Sequence, residues 1–300
     1  MTTALTQHID RTRKQPEHVL VLGSTGMLGR SWVQLLEREG IKHQALSRPE
    51  FDLSDPESII RALPAQNEYD LVVNAAAWTD VDGAEEDEAG AEQSNGYAVE
   101  QIAQRCLERN TLLITYSTDY VFSGQSTAPF PIDAPIAPLN AYGRSKALGE
   151  LLLRQSTPNH LLIRTSWVYA PWGKNFVLTM KQLMHDRDRL RVVDDQQGRP
   201  TCALELAANS LKLFRAGAIG TWHLTDEGEC TWFRLAQEIK STLDAGCVIE
   251  PCNSSEFPRP AQRPTYSTLD IEPTIALIGP FEPWQSRVRD VLEQTQNSGT

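Results

Sequence analysis

The chain has 300 residues, a formal net charge of −11, and apolar and charged fractions of 40% and 22%. This length predicts one large α/β domain, or a domain with an added lobe, rather than a single small core. The acidic balance argues against binding a nucleic-acid backbone, and no apolar run approaches the roughly 20 residues that cross a bilayer. We therefore expect neither a nucleic acid nor a membrane as a partner.

The cysteines and the N-terminal residues indicate a cytoplasmic protein. Five cysteines without paired metal-ligand spacing predict reduced thiols, with a disulfide or metal pair of Cys247 and Cys252 as the alternative. Residues 1–17 are polar and lack the apolar core of a secretion signal. We interpret them as an N-terminal extension that is either mobile or a short capping segment, and no metal site is predicted.

A glycine-rich turn follows the first apolar run. Residues 18–22 read as a buried strand, residues 23–29 as the turn, and residues 31–39 as the continuing helix. In this order, backbone N–H groups and a helix N-terminus approach a pyrophosphate. The spacing is Gly-x-x-Gly-x-x-Gly rather than Gly-x-Gly-x-x-Gly, but its context predicts a dinucleotide site. The expected cofactor contacts here are Gly23, Thr25, Gly26, Met27, Leu28 and Gly29.

The second strand, about residues 43–46, runs into Arg48 rather than into an acid. An acid there would bind the ribose 2′-hydroxyl of NAD, whereas Arg48 is suited to the 2′-phosphate of NADP. Asp52, with Leu53 beside it, is a candidate contact for the adenine or the ribose. The sequence therefore favours NADP and leaves NAD possible, and the alternative for Arg48 is a solvated loop residue.

A third strand, residues 71–73, ends in small residues that let a flat cofactor lie against the backbone. The expected contacts are Ala75, Ala76, Ala77 and Thr79. The acidic residues Glu85, Glu86, Asp87 and Glu88 follow, and we interpret them as a solvated helix face rather than as a metal site.

Catalytic candidates follow the strand of residues 112–116, which brings Thr118 to the same sheet edge. After a proline-rich loop, Tyr142 and Lys146 are four residues apart and share one face of a predicted helix. An ammonium group beside a phenol lowers a phenol pKa that starts near ~10, which would make Tyr142 a proton donor or acceptor near neutrality. The alternative is a chance pair on a helix surface.

These patterns predict an α/β fold, a Rossmann-type doubly wound parallel sheet with a smaller C-terminal substrate-binding lobe. We assign residues 18–168 to the dinucleotide-binding domain, to which residues of about 190–228 return. Residues 169–189 and 229–300 form the lobe. Trp167, after the strand of residues 160–165, is either a stacking surface for a sugar or base or a core tryptophan.

From about residue 18 to residue 292 the chain resembles the extended short-chain dehydrogenase/reductases, and among them the dTDP-4-dehydrorhamnose reductase family. The combination of motifs is specific, although each piece alone is not. It consists of the glycine turn, residues 74–77, residues 117–122, residues 138–143 with Lys146, residues 164–170, residues 195–201, and Arg263-Pro264 with Ser267 and Leu269.

The resemblance implies NADPH-dependent reduction of the C4 ketone of dTDP-4-dehydro-L-rhamnose to dTDP-L-rhamnose. Tyr142 would protonate the developing alkoxide, Thr118 would hydrogen-bond the carbonyl oxygen, and Lys146 would hold the nicotinamide ribose. Such a site needs a proton at the oxygen where charge develops. The implied substrate-binding residues are Thr118, Asp119, Trp167, Asn175 and Arg263.

Three alternatives remain beside this reading. Nucleotide-sugar dehydratases share the fold but typically carry Asp-Glu after the threonine, whereas this chain has Asp119-Tyr120, so reduction fits better. Another nucleotide-linked 4-keto sugar is a possible substrate. A non-catalytic, cofactor-binding subunit, like the regulatory subunit of methionine adenosyltransferase, is the alternative from another class.

The chain departs from the family at two places. Ser31 stands where some members have a metal-binding glutamate, opposite the position of Glu205, so a metal-bridged dimer is not expected. A monomer and a homodimer both remain open. Trp78 replaces a residue that is commonly His or another polar residue, which would reshape the pocket.

Overall fold

The computed structural model describes residues 8–9, 13–64 and 69–297. The strands are β1 (His8–Ile9), β2 (His18–Leu22), β3 (Lys42–Leu46), β4 (Leu71–Asn74), β5 (Leu112–Thr118), β6 (His160–Thr165), β7 (Val168–Tyr169), β8 (Arg189–Val193), β9 (Gln197–Gly198), β10 (Thr201–Cys202), β11 (Ala218–His223), β12 (Cys230–Thr231) and β13 (Val248–Cys252).

The helices alternate with these strands through the first half of the chain. They are α1 (Met27–Arg38), α2 (Pro56–Ala62), α3 (Gly83–Glu86), α4 (Glu88–Glu92), α5 (Ala98–Leu107), α6 (Ala141–Ser156), α7 (Phe176–Asp186), α8 (Ala203–Arg215), α9 (Trp232–Leu243), α10 (Glu272–Ile278) and α11 (Trp284–Asn297). Residues Gln93–Tyr97 form a π-helical turn between α4 and α5. Short 3₁₀ turns cover Asp119–Val121 and Ser254–Glu256.

The central sheet has the order β1-β11-β6-β5-β4-β2-β3, and six of its strands are parallel. From β2 the chain moves outward to β3 and then returns to β4 on the other side. This reversal opens a crevice at the carboxyl ends of β2 and β4, where open α/β sheets bind ligands. The expected doubly wound α/β fold is confirmed.

Side chains of β2 explain why helices cover both faces of the sheet. Val19 and Val21 are buried in the core that contains α1 and α8, while Leu20 and Leu22 are buried in the core on the opposite face. Successive side chains of a strand point to opposite faces, so a run that is apolar throughout indicates a strand buried on both sides. The sheet is therefore the centre of the cofactor domain.

The described part of the N-terminal extension lies along the edge of the sheet. His8–Ile9 pairs antiparallel with Ile219 and Ala218 of β11, and the Arg13 guanidinium donates to the Ala218 carbonyl at 3.3 Å. The remaining residues up to 12 lie outside the described part of the chain. The extension thus adds a seventh strand, which its polar sequence does not predict.

The C-terminal lobe has its own core, built from α7, α9 and α11 around β8 and β13. The segment expected to return to the cofactor domain is divided between the two units. Strand β8 pairs in parallel with β13, and its alternate residues Leu190 and Val192 face the lobe core, while α8 and β11 join the central domain. The assignment of residues 190–193 to the cofactor domain is therefore corrected.

All five cysteines fall within the described ranges, and each is a buried free thiol. The alternative of a bond between Cys247 and Cys252 is not realised. None of the helices in the described ranges combines the length and the apolar character that a bilayer crossing requires.

Candidate active site

The glycine turn fits closely against the end of β4. Gly23 has φ of +81°, and a Cβ atom there would lie 2.7 Å from the Ala76 nitrogen. A Cβ at Gly29 would lie 2.1 Å from the Gly23 carbonyl oxygen. These positions accept only glycine, so no side chain covers the backbone of the turn. The turn leads into the N-terminus of α1, whose first N–H groups lack intrahelical partners. A dinucleotide pyrophosphate fits such a cradle.

The structure brings the other predicted cofactor residues to the same edge, with one exception. The Gly23 nitrogen donates to the Leu46 carbonyl at 2.8 Å, which places the end of β3 beside the turn. The Arg48 side chain is 81% exposed, with its Nε 4.0 Å from an Asp52 oxygen. Ala75, Ala76, Ala77 and Thr79 are partly or fully exposed past β4. Leu53 is buried in the core, so its side chain does not face the crevice.

Thr118 and Tyr142 meet at the carboxyl end of β5. Thr118 is buried, its hydroxyl donates to Asp119 Oδ1 at 2.9 Å, and it lies near enough to the Tyr142 phenol to affect the pKa of that group. The first turn of α6 lies directly on this strand end, because a Cβ at Gly143 would be 2.3 Å from the Tyr120 carbonyl oxygen. Asn140 caps the helix by accepting from the Gly143 nitrogen at 2.8 Å.

The pKa of Tyr142 differs from the sequence-based expectation. Desolvation by burial and the nearby Asp119 carboxylate raise this pKa above its ordinary value, and the Thr118 hydroxyl opposes the rise. Lys146 does not lower it, because the ammonium group donates to the Tyr116 carbonyl at 2.6 Å. The phenol therefore stays protonated at neutral pH, which is the form that donates a proton.

Lys146 is buried at the base of the same crevice. Desolvation lowers its pKa to about 8, and the carboxylate of Glu150, one helical turn later, opposes the decrease. The amine is therefore largely charged at neutral pH. Its hydrogen bond to the carbonyl of Tyr116 fixes it at the carboxyl end of β5.

A buried ion pair behind Lys146 was not predicted from the sequence. Arg164 donates from Nε and Nη2 to the two carboxylate oxygens of Glu150 at 2.8 and 2.7 Å. Arg164 and Arg154 hold the pKa of Glu150 at about 2, although burial opposes them. Two signals were available: the spacing of four continues from Lys146 to Glu150, and an arginine in a buried strand needs a partner.

Asn95 was also missed, and it lies in the π-helical turn. Its amide oxygen accepts from the Trp78 nitrogen at 2.9 Å, and its nitrogen donates to the Trp78 carbonyl and the Ser145 hydroxyl, each at 3.0 Å. A Cβ at Gly149 would lie 2.0 Å from the Asn95 carbonyl oxygen, so this turn and α6 touch through their backbones. Trp78 and Tyr142 both pack against the small buried cluster of Ala84, Ala91 and Ala141. Single π-helical turns frequently mark functional sites.

Asp119 is a buried carboxylate next to Thr118, and Ser267 also acts on its pKa. Oδ1 accepts from Thr118, whereas the buried Oδ2 has no hydrogen-bond partner among the described residues. Burial raises the pKa of this carboxyl group to about 6. Buried polar atoms are nearly always paired, so a substrate hydroxyl group is a suitable partner for Oδ2.

Two of the predicted substrate residues have structural roles. The Trp167 ring stacks on Trp232, with centroids 3.5 Å apart and planes 10° apart. The Asn175 side chain caps α7 by accepting from the Leu178 nitrogen at 3.1 Å, and it donates to the Ala170 carbonyl at 2.9 Å. Direct contact of Trp167 and Asn175 with a substrate therefore stays a prediction. In the structure, both side chains contact other residues of the chain.

Arg263 lines a cavity of about 670 Å³ between Tyr120 and the lobe. One part of the cavity wall is apolar and partly aromatic, and it comprises Phe176, Met180, Trp232 and Phe257. Another part is cationic, from Arg191, Arg259 and Arg263. Aromatic rings stack on bases and guanidinium groups bind phosphates, so the wall is complementary to a nucleotide.

The acidic segment after β4 is largely exposed, as predicted, and two of its carboxylates also contact the catalytic helix. Glu85 accepts from the Ala141 nitrogen at 2.8 Å, and Glu88 accepts from Arg144 Nε at 2.6 Å. Both contacts hold the first turn of α6, the turn that carries Tyr142. Glu86 stays exposed, and Asp87 caps α4. Because α6 is distant in sequence, residue patterns alone do not show this contact.

Ser31 and Glu205 make contacts with other protein groups. The Ser31 hydroxyl donates to the Met27 carbonyl at 2.9 Å, and a Glu205 oxygen lies 3.3 Å from an Arg287 nitrogen. Among the described residues, no group of His, Cys, Asp and Glu side chains is arranged to hold a metal ion.

Comparisons with known proteins agree with this geometry. Residues 17–297 match the RmlD substrate binding domain family. A dTDP-4-dehydrorhamnose reductase from Streptomyces griseus is 40% identical over 258 residues, which cover 84% of each chain. The chain belongs to the dTDP-4-dehydrorhamnose reductase family. This confirms the family and the class of oxidoreductase expected from the motifs.

Two further relatives bear on substrate and cofactor. A dTDP-4-keto-6-deoxy-D-glucose reductase from Streptomyces niveus is 38% identical over 252 residues, covering 83% of this chain and 87% of the relative. The structure of a dTDP-4-dehydrorhamnose reductase from Bacillus anthracis in complex with NADP superposes with a TM-score of 0.88 at 29% identity, covering 93% of this chain and 99% of the other. That complex agrees with the expected cofactor, NADP.

Proposed function

We propose that this protein uses NADPH to reduce the C4 ketone of dTDP-4-dehydro-L-rhamnose, giving dTDP-L-rhamnose, with Tyr142 as the proton donor. The observation that carries the proposal is the closeness of the Tyr142 phenol, on the first turn of α6, to the buried Thr118 hydroxyl at the carboxyl end of β5. Lys146 is held on the same strand by the Tyr116 carbonyl, and the glycine cradle opens onto the same sheet edge.

Each catalytic side chain has a distinct task. When bound, the reduced nicotinamide supplies the hydride for the carbonyl carbon. Thr118 and Tyr142 offer two hydroxyl groups to the carbonyl oxygen, where negative charge develops. Because its raised pKa keeps Tyr142 protonated, the phenol is ready to donate as the alkoxide forms. Lys146, largely charged at neutral pH, would bind the ribose hydroxyls of the nicotinamide nucleotide.

The cavity beside Tyr120 would hold the nucleotide half of the substrate. Trp232 and Phe176 provide stacking surfaces for a pyrimidine base, and Arg259 and Arg263 provide charge for the diphosphate. In this placement the sugar lies toward Thr118, with Asp119 Oδ2 available to accept from one of its hydroxyl groups. The same arrangement would accept other dTDP-linked 4-keto sugars, and the Streptomyces niveus relative supports such a sugar as the second candidate.

The test is NADPH oxidation by the purified protein, with the keto sugar generated in situ. We expect loss of NADPH absorbance in proportion to dTDP-L-rhamnose formed, identified by NMR. Turnover only with dTDP-4-keto-6-deoxy-D-glucose would support the second candidate. Tight NADPH binding without turnover of either sugar would contradict the proposal and favour a non-catalytic subunit.

A further inference from the structure

One carboxylate of the cofactor domain collects four donors from the C-terminal lobe. Asp82 lies just before α3, in the loop that follows β4. Its oxygens accept from Arg263 Nη1 at 2.6 Å and Nη2 at 2.9 Å, from Arg259 Nη1 at 3.3 Å, and from the Ala261 nitrogen at 3.2 Å. A single side chain therefore fixes residues 259–263 against the cofactor domain.

These contacts leave net positive charge on the cavity wall. Arg259 and Arg263 both line the cavity, and together they carry two charges against the single charge of Asp82. The hydrogen bonds with Arg263 also keep the pKa of Asp82 below its ordinary value, so the carboxylate stays ionised. A wall with one excess positive charge favours an anionic ligand.

The hydrogen bonds of Arg263 leave one edge of its guanidinium group for a ligand. Nη1 donates to Asp82 and to the Ala261 carbonyl, each at 2.6 Å, and Nη2 donates to Asp82. Nε donates no hydrogen bond to any of the described residues. An arginine has five N–H donors in a fixed planar fork, so Nε and the second hydrogen of Nη2 form an edge suited to two phosphate oxygens.

We propose that Asp82 is a positioning residue that orients Arg263 and Arg259 to receive the diphosphate group of the substrate. The inference rests on the proposed function for the class of ligand. Asp82 accepts from the two terminal nitrogens of Arg263, Nη1 and Nη2, on the side of the guanidinium group away from Nε. The Ala261 carbonyl accepts a further hydrogen bond from Nη1. The ion pair is thus part of the binding wall, and the phosphate adds to it without displacing it.

Binding of dTDP and of thymidine to the NADP⁺-loaded protein, measured by calorimetry, tests this role. In Asp82→Asn we expect dTDP to bind about tenfold more weakly, because the arginines lose their fixed orientation. Thymidine has no phosphates, so its affinity should not change. In steady state, KM for the nucleotide sugar should rise about tenfold, with kcat within about twofold.

Glu108→Gln is the matched control, because Glu108 is an exposed carboxylate that pairs with Arg105 and Arg109 and does not line the cavity. It should leave both affinities unchanged. In an Arg263→Gln background, Asp82→Asn should weaken dTDP binding by less than about threefold, since the residue it positions is gone. Thermal unfolding of each variant checks that the fold is retained.

Unchanged or tighter dTDP binding in Asp82→Asn would overturn the inference, and tighter binding would mean that Asp82 competes with the phosphate. Equal losses for dTDP and thymidine would also overturn it, since they would indicate a general distortion of the cavity. If the unmodified protein binds no dTDP, the ligand class in the proposed function is wrong and the inference is rejected with it.

Discussion

Glu150 and Arg164 form a fully buried, two-bond ion pair one helical turn beyond Lys146. Arg164 extends the contact by donating from Nη1 to the Ile132 carbonyl at 2.8 Å, and the same nitrogen lies 3.3 Å from His223 Nε2. Burial and the adjacent guanidinium lower the pKa of His223 to about 3, so this imidazole is neutral and can accept the bond. The pair thereby fixes the catalytic helix to β6 and β11.

Replacing Glu150 with Gln should lower the free energy of unfolding by about 3–5 kcal/mol, because Arg164 would remain buried without a countercharge. Denaturant unfolding measures this loss. The control is Glu238→Gln, which breaks the more exposed pair with Arg289 and should cost less than about 1 kcal/mol. Equal effects of the two variants would show that burial does not govern the contribution of the Glu150 pair.

Tyr142→Phe should reduce turnover at least about 100-fold, because general acid catalysis contributes on that scale. NADPH affinity, measured by fluorescence titration, should stay within about twofold, since the glycine cradle is unaltered. Tyr97→Phe modifies an exposed tyrosine and serves as the control. Undiminished turnover in Tyr142→Phe would exclude the phenol as the proton donor.

Gly143→Ala should lower kcat at least about tenfold by moving the first turn of α6 away from β5. The added Cβ would meet the Tyr120 carbonyl oxygen at 2.3 Å, and a backbone atom of this kind cannot swing aside. Gly246→Ala is the matched control, because nothing lies within 4 Å of its Cβ position. Steady-state kinetics of both variants check the expectation, which fails if Gly143→Ala retains normal kcat.

Arg48→Gln should reduce kcat/KM for NADPH about tenfold and leave kcat/KM for NADH nearly unchanged. We expect the exposed guanidinium after β3 to form a charge-assisted bond with the 2′-phosphate, which NADH lacks. Steady-state kinetics with each cofactor measure the ratio of kcat/KM for NADPH to kcat/KM for NADH in both proteins. If the unmodified protein shows equal kcat/KM for the two, Arg48 is only a solvated loop residue.

Asp226 should make stability depend on pH. Its buried carboxyl accepts from the Cys202 nitrogen at 2.9 Å and the Tyr169 hydroxyl at 3.1 Å. Burial raises its pKa to about 7, although these two hydrogen bonds oppose the rise. A carboxyl with a raised folded-state pKa holds its proton more tightly when folded, so stability is gained as pH falls from about 7 toward ~4.

The measurement is the free energy of unfolding at pH 5 and pH 8 for the natural chain and for Asp226→Asn. From pH 5 to pH 8 the natural chain should lose about 1 kcal/mol or more relative to the variant, whose amide does not titrate. Parallel pH dependence in the two proteins would mean that Asp226 has an ordinary pKa in the folded state.

The parts that could be predicted from the sequence depend on short-range patterns. Gly23 to Gly29 combine a strand, a turn and a helix within a few residues, and Tyr142 with Lys146 is a single helical spacing. Spacing shows which face two side chains share but not where their ends point, so the lysine was expected to contact the phenol. In the structure its Nζ reaches the Tyr116 carbonyl instead.

Contacts between distant segments could not be predicted in the same way. Asp82 and Arg263 are 181 residues apart, and nothing near either residue specifies the partner. The Trp167 ring was expected to be either a stacking surface for a ligand or a core side chain. In the structure it stacks on Trp232, a residue 65 positions later in the sequence. Strand β8 was recognisable as a strand, but only its pairing with β13 assigned it to the lobe.

The backbone contact between Gly149 and Asn95 makes the π-helical turn and the catalytic helix a single mechanical unit. With no side chain between them, neither segment can slide without the other, and the Trp78 loop follows through its bonds to the Asn95 amide. Movement of the Trp78 loop is therefore coupled to movement of α6, the helix that carries Tyr142.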